Sequence, residues 1–277
     1  MRTKELQNGF KLPAIGIGTY GLGGNREPDY AHDKENISAI KKAIKVGFRH
    51  IDTAERYGRG HSEELLGKAI KEFDRTKLII TTKVHGKNLK YEDVINSAKN
   101  SLKRLKIGYI DLYLIHHYNP EIPLKETMAS MDFLIEQGLV KNIGVSNFNI
   151  EQIKEAQKYT KNKIVANEIN YSPWSERVRF STIEYCQNND ILIIAHKPFG
   201  RGKINTEKIK ILAKLSKKYG KTEAQITLNW LISKKNIVTI FKSVNHLREN
   251  YEATDFQLTN KDCEKIDENL NELIKVR

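Results

Sequence analysis

The chain has 277 residues, of which 39% are hydrophobic and 29% charged, with a formal net charge of +13. That balance excludes a disordered chain, and no apolar run approaches the roughly 18 residues of a membrane span. Its lysines are spread along helical segments, as in Lys41, Lys42 and Lys45 or Lys208, Lys210, Lys214 and Lys217. They do not gather into a basic arm with interleaved aromatics, so the charge reads as solvated surface and no nucleic-acid partner is expected.

The opening residues, Met1 to Phe10, are charged and turn-forming, unlike a signal peptide. Cys186 and Cys263 lie far apart without metal-ligand spacing, which fits a reducing cytoplasm. A monomer or weak homo-oligomer acting on a small molecule, away from membranes, is the expectation.

In chain order, Lys4 to Pro13 carries an Asn8-Gly9 turn between extended stretches and reads as a hairpin. Eight strands follow: Ala14 to Gly18, Phe48 to Asp52, Leu78 to Lys83, Ile110 to His116, Asn142 to Ser146, Val165 to Ile169, Ile191 to His196 and Ile237 to Lys242. Segments of helical period separate them, among them Asp33 to Val46, Ser62 to Phe73, Glu92 to Leu105, Pro123 to Gln137 and Glu151 to Tyr159. Two more, Thr206 to Tyr219 and Thr222 to Ser233, lie between the last two strands, and an extra helix, Asn260 to Ile274, ends the chain. Alternating strands and helices with no linker predict an α/β fold, a (β/α)₈ TIM barrel forming one domain over residues 1–277.

The strand ends turn polar and reactive: Asp52, Lys83, His116, Ser146 with Asn147, Glu168, His196, and Lys242 with Ser243. In a parallel barrel all these ends converge on one mouth, where chemistry belongs. The run Gly16-Ile17-Gly18-Thr19-Tyr20-Gly21 has the spacing of a dinucleotide-binding turn, but the helix that would present its amino end to a pyrophosphate does not follow. Those glycines read instead as bare backbone facing a ligand.

Asp52 and Tyr57 lie in Gly47 to Gly58, the most informative segment. Carbonyl reduction needs a hydride donor on one side and a proton donor for the growing alkoxide on the other. A tyrosine is a reluctant acid unless an ammonium stabilises its phenolate. Lys83 can be that ammonium and Asp52 the carboxylate holding it, while His116 can orient the substrate oxygen or relay a proton. A metal-dependent hydrolase is the rival from another class, since His50 and Asp52 share a strand face and His116 with His117 adds imidazoles. Adjacent His116 and His117 are expected to point to opposite faces, the ligand set is incomplete, and His50 reads as a hydrogen-bonded core residue; no metal is expected.

These residues resemble the aldo-keto reductase family over nearly the whole chain. The resemblance is carried by Gly18-Thr19-Tyr20, Gly47 to Gly58, Thr82-Lys83-Val84, Asp111 to His116, Gly144 to Phe148, Asn167-Glu168, Lys242-Ser243 and Glu249-Asn250. It implies a barrel whose amino-terminal hairpin closes the bottom, a catalytic tetrad of Asp52, Tyr57, Lys83 and His116, and NADP(H) as cofactor, with NAD(H) possible. It further implies that Ser146 and Asn147 hold the nicotinamide carboxamide, that Lys242 and Ser243 meet the adenosine 2′-phosphate, and that Glu249 and Asn250 lie near the adenine. Gly18, Thr19, Tyr20, Asp52, Glu168, His196, Lys197, Pro198, Phe199 and Gly200 complete the implied cofactor set, and Tyr20, Tyr57, His116 and His117 line the implied substrate pocket.

Several positions depart from the family pattern. Glu168 stands where the family usually has Gln, His196-Lys197 where it has Tyr-Ser, and Phe241 where it has Pro. His246 takes the place of a phosphate-binding Arg, with Arg248 close by, and His117 replaces a frequent Trp. An open pocket of broad specificity follows. The same resemblance admits a regulatory relative that binds cofactor as a sensor with little turnover.

Overall fold

The computed structural model describes residues 2–173, 178–200, 209–242 and 245–275. β1 (Thr3–Glu5) and β2 (Lys11–Pro13) pair antiparallel, with Lys4 opposite Leu12. The Asn8-Gly9 turn joins them: Asn8 Oδ1 accepts the Phe10 N–H at 3.1 Å, and Gly9 donates to Leu6 O at 3.0 Å.

Eight strands follow, β3 (Ile15–Gly18), β4 (His50–Asp52), β5 (Ile79–Val84), β6 (Leu112–Ile115), β7 (Ile143–Ser146), β8 (Ile164–Asn170), β9 (Leu192–His196) and β10 (Ile237–Phe241). They close into a barrel in the order β10-β3-β4-β5-β6-β7-β8-β9, the (β/α)₈ class that the alternating pattern predicts. The helices are α1 (Asp33–Val46), α2 (His61–Ile70), α3 (Tyr91–Leu105), α4 (Leu124–Glu136), α5 (Ile150–Lys158), α6 (Val178–Asn188), α7 (Lys210–Tyr219), α8 (Glu223–Ser233), α9 (Leu247–Glu252) and α10 (Asn260–Lys275). The helix expected from Thr206 is described from Lys210 onward. Six strands are shorter than the apolar runs suggest, β5 is shifted by one residue and β8 is longer; Ile110, for example, keeps only an isolated bridge to Val140 before β6 begins.

By Cα proximity the chain forms two compact units, Ile17–Asn167 and Met1–Gly16 with Glu168–Arg277. In the first, five side-chain bonds between neighbouring strands or their ends each span 31 residues: His50 to Thr81, Asp52 to Lys83, Ile80 to Asp111, Asp111 to Asn142 and His116 to Asn147. Outside the strands, α3 buries Val94, Ile95, Ala98, Leu102 and Leu105, an apolar stripe at helical spacing. Glu63 of α2 is fully buried and accepts from Thr82 Oγ1 and Arg104 Nε, each at 2.6 Å, which ties α2 to β5 and α3. An Asn149–Gln152 capping box starts α5.

In the second unit the hairpin meets the amino ends of two strands. Gln7 N–H donates to Asp190 Oδ2 just before β9, and Lys4 Nζ to Lys234 O just before β10. A Thr222–Gln225 capping box starts α8. The extra helix α10 is fastened by Asp267, which accepts from Trp230 Nε1 at 3.1 Å and Lys234 Nζ at 2.8 Å. Among the described residues, no helix is long and apolar enough to cross a membrane.

Candidate active site

The unit Ile17–Asn167 gathers Asp52, Tyr57, Lys83 and His116. Register explains the gathering. Thr81 and Lys83 pair with Leu112 and Leu114, and Leu114 pairs with Gly144. Side chains alternate along a strand, so His116 and Ser146, each two residues further on, continue the face that Lys83 occupies. Asp52 and Lys83 are 2% and 0% exposed, and the lysine donates to both carboxylate oxygens at 2.6 Å and to Thr53 O at 3.0 Å. A buried ammonium held this way keeps its charge through the carboxylate and carbonyl around it.

Tyr57 follows β4 in a short 3₁₀ turn, Tyr57–Gly60, and is 8% exposed. The Lys83 ammonium lies 5.5 Å from its ring centre. His116 meets the same ring edge-on at 5.7 Å, and Tyr20, half exposed, at 5.2 Å. The turn is fixed by backbone approach: Gly58 has φ +53°, and a Cβ there would lie 2.2 Å from Gly23 O. Only glycine lets the loop carrying Tyr57 lie against the loop carrying Tyr20.

Burial, with the Lys83 charge adding to it, lowers the His116 pKa from 6.5 to about 2, so the imidazole is neutral at working pH. Its Nδ1 has no hydrogen-bond partner among the described residues. His117 does not point away from it as strand alternation suggests. His116 still bonds to the sheet, donating its N–H to Val84 O at 3.0 Å, whereas His117 lies two residues beyond β6, where the pleat no longer applies, and the two rings stack at 4.6 Å and 13°. His50 is the buried core residue expected, donating or accepting at Thr81 Oγ1 over 2.9 Å, and burial lowers its pKa to about 3. Among the described residues, no group of His, Cys, Asp and Glu could hold a metal ion.

The first loop begins as expected without a helix. Thr19 is buried, donates its N–H to Asp52 O at 2.9 Å and accepts from Ser62 Oγ at 2.8 Å, and α1 starts only at Asp33. Gly18 ends β3. At the end of β7, Ser146 is buried and Asn147 adopts φ +60°, a conformation asparagine tolerates. The Asn147 amide donates to Ser146 Oγ at 2.9 Å and His116 O at 3.3 Å.

The remaining candidates lie in the other unit. Glu168 is buried in β8, and His196 ends β9, its carbonyl accepting from Tyr171 N–H at 3.4 Å. Lys197 (φ +57°), Pro198, Phe199 and Gly200 form a turn closed by Gly200 N–H to Lys197 O. Lys242 is exposed, and Ser243 lies outside the described residues. His246 Nδ1 pairs with Glu249 Oε2 at 2.9 Å, Glu249 Oε1 accepts from Thr222 Oγ1, and Arg248 pairs with Glu252 at 3.1 Å. Asn250 is buried. The described side chains expected at a phosphate therefore sit on the surface, with Arg248 and His246 each bonded to an acid of α9.

Sequence reading passed over Glu55, Arg56, His85 and Gly86. Glu55 Oε1 accepts the His85 N–H at 2.6 Å and the Asn88 amide at 3.0 Å, pinning the loop after β5 to the loop after β4. A Cβ on Gly86 would lie 2.9 Å from His117 O. The available signal was the density of arginines around Tyr57, at positions 56 and 59.

A phenol between a buried ammonium–carboxylate pair and a neutral imidazole, at the carboxyl ends of parallel barrel strands, defines a class of site suited to moving a proton at a substrate oxygen. The sequence profile described as the Aldo/keto reductase family matches residues 14–271, and the chain belongs to that family. It is 34% identical to aldose reductase C of Dictyostelium discoideum over 95% of this chain and 87% of that protein. A crystal structure of a thermostable aldo-keto reductase with the inhibitor epalrestat superposes with a TM-score of 0.93 at 43% identity, covering 97% of this chain and all of that one. An aldo-keto reductase from Klebsiella pneumoniae in complex with NADPH superposes with a TM-score of 0.86 at 27% identity, over 97% and 95% of the two chains.

Proposed function

We propose that this chain, acting as a single catalytic domain in the cytoplasm, is an NADP(H)-dependent oxidoreductase that reversibly reduces aldehydes and ketones to alcohols, with Tyr57 as proton donor. Membership of the family and an NADPH-bound relative support the cofactor. The observation that carries the chemistry is Lys83, fully buried on Asp52 and beneath the Tyr57 ring.

The residues present suit a nicotinamide. At the end of β7 the Ser146 hydroxyl and the Asn147 carboxamide complement an amide headgroup, and the Glu168 carboxylate suits the cationic oxidised ring. Lys242, Ser243 and Arg248 would hold the 2′-phosphate, at the amino end of a helix and through charge-assisted bonds. When bound, the nicotinamide supplies the hydride for the carbonyl carbon. Tyr57 gives its hydroxyl proton to the carbonyl oxygen, and the Lys83 ammonium stabilises the phenolate left behind. Asp52 fixes that ammonium by accepting two of its hydrogen bonds. His116, being neutral, contributes an N–H donor or a lone pair to orient the substrate oxygen and adds no charge. His117 and the half-exposed Tyr20 leave the pocket open, which suits a broad range of carbonyls in a monomer or weak homo-oligomer.

The test is to follow nicotinamide absorbance with NADPH or NADH across a panel of aldehydes, ketones and sugars. Turnover of at least one carbonyl, abolished or nearly so in Tyr57→Phe, is expected. Cofactor binding with no turnover of any carbonyl would make the chain a sensor instead.

A further inference from the structure

The residue preceding the proposed proton donor lines a cavity of about 420 Å³ that hydride and proton transfer do not require. Arg26, Arg56, Arg59, Arg104 and His85 line it. Their partners decide what the cavity is for. Arg59 is paired with Glu27 at 2.6 Å, and Arg104 with the buried Glu63 at 2.6 Å. Glu55, the one acid on the wall, turns its Oε1 to the His85 N–H and the Asn88 amide. Arg26 and Arg56 have no carboxylate partner among the described residues. The cavity thus concentrates guanidinium charge beyond what its own acids neutralise. A fold gains nothing from holding like charges round one hollow, whereas an oxyanion entering it would be met by planar, multidentate donors.

The catalytic rings do not line the cavity, but two of its lining residues connect to them. Arg56 immediately precedes Tyr57. His85 leads into Gly86, which is packed against His117 O, and His117 stacks on His116. Burial lowers the pKa of His85, His116 and His117, and in all three the positive charge of Arg56 adds to the shift, so its field reaches the reacting centre.

We infer that this cavity is an anion subsite of the active site: the carbonyl substrate carries a phosphate monoester or carboxylate that lies against Arg56 and Arg26 while its carbonyl reaches Tyr57. The inference rests on the reductase reading and narrows its substrate class to anionic carbonyl compounds.

The experiment measures kcat/KM with NADPH for matched pairs, glyceraldehyde 3-phosphate against glyceraldehyde and 4-carboxybenzaldehyde against benzaldehyde. It is run on the parent and on the Arg26→Ala, Arg56→Ala double variant, both positions being exposed and outside the ion pairs above. The anionic member of a pair should be favoured about 10-fold or more, the effect of one charge-assisted hydrogen bond, and the ratio should fall with added salt and collapse in the double variant. Preference for the phosphate alone or the carboxylate alone supports the subsite and identifies which anion it takes. Equal or better use of the neutral members, or a preference that survives in the double variant, overturns it. If no carbonyl is turned over, the reductase reading fails, and titration of glycerol 3-phosphate by calorimetry then decides: binding weakened about 10-fold in the double variant keeps the anion site, and absent or unaltered binding removes it.

Discussion

Lys83 and Arg248 are both cations near the end of a barrel strand, and they are partnered in opposite ways. Lys83 is fully buried, with three oxygens within 3.0 Å. The Arg248 side chain is 88% exposed and rests on Glu252 one helical turn away. In the interior, ion and counter-ion cannot exchange partners without stranding a charge, so the geometry is set before any ligand arrives. On the surface the pair is screened and weakly held, so a phosphate could displace the glutamate at little cost. The region proposed for chemistry is preorganised; the region proposed for cofactor choice is adaptable.

The sharpest way to break that contrast is at the phenol. Tyr57→Phe keeps the ring and removes the proton, so turnover should fall by about 10² to 10⁴ with cofactor affinity nearly unchanged. Near-parental steady-state rates would remove Tyr57 from the mechanism. Lys83→Met should lower turnover similarly and, by removing the ammonium that donates to both oxygens of the buried Asp52 carboxylate, cost about 3–5 kcal/mol of stability in urea unfolding. A variant as stable as the parent would mean Asp52 is solvated or protonated.

A second effect is linked to pH. Unfolded, His50 and His116 take up protons near pH 6.5; folded, only near pH 3 and 2. The unfolded chain therefore binds more protons between those values, and stability falls as pH drops below about 6.5, by about 1.4 kcal/mol per pH unit for each histidine. Urea midpoints at pH 7, 6 and 5 should show this slope, and His116→Asn should reduce it by one histidine's share. A slope unaltered by that substitution would mean His116 is protonated in the fold.

The adaptable region predicts smaller changes. NADPH should bind more tightly than NADH by about 10-fold, and Lys242→Ala with Arg248→Ala should erase most of that difference in competitive titrations at fixed salt. A preference that persists would locate phosphate selection elsewhere. Smallest is Glu252→Ala, which releases Arg248: thermal stability should hardly move, while NADPH affinity rises slightly and NADH affinity does not. Equal changes for both cofactors would show that Arg248 does not meet the phosphate.

The barrel and the inward-facing strand ends were legible because their signals are local. An apolar run ending in Asp52 or Lys83 needs only a strand's period to bring the ends together. His117 was misread because the pleat was extended two residues past β6, where the chain had already left the sheet. Glu55, His85 and Asn88 were illegible for another reason: their bonds join two loops, and loop geometry has no period. Arg56 and Arg59 were visible but uninformative, since the sequence does not show that Glu27 and Glu63 engage two of the four arginines around the cavity and leave the others to it.

The recurring separation of about 30 residues between paired strands in the Ile17–Asn167 unit also bears on how the chain assembles. Loop-closure entropy depends on the logarithm of loop length, so each strand that joins the sheet closes a loop of similar size and meets a similar entropic penalty to the one before. No link in this series waits on a contact between distant parts of the sequence, which favours repeat-by-repeat growth. Asp52 and Lys83 meet when the second of these strands arrives, so the ammonium and its carboxylate can be joined early, before the strand ends that carry His116 and Asn147 are in place.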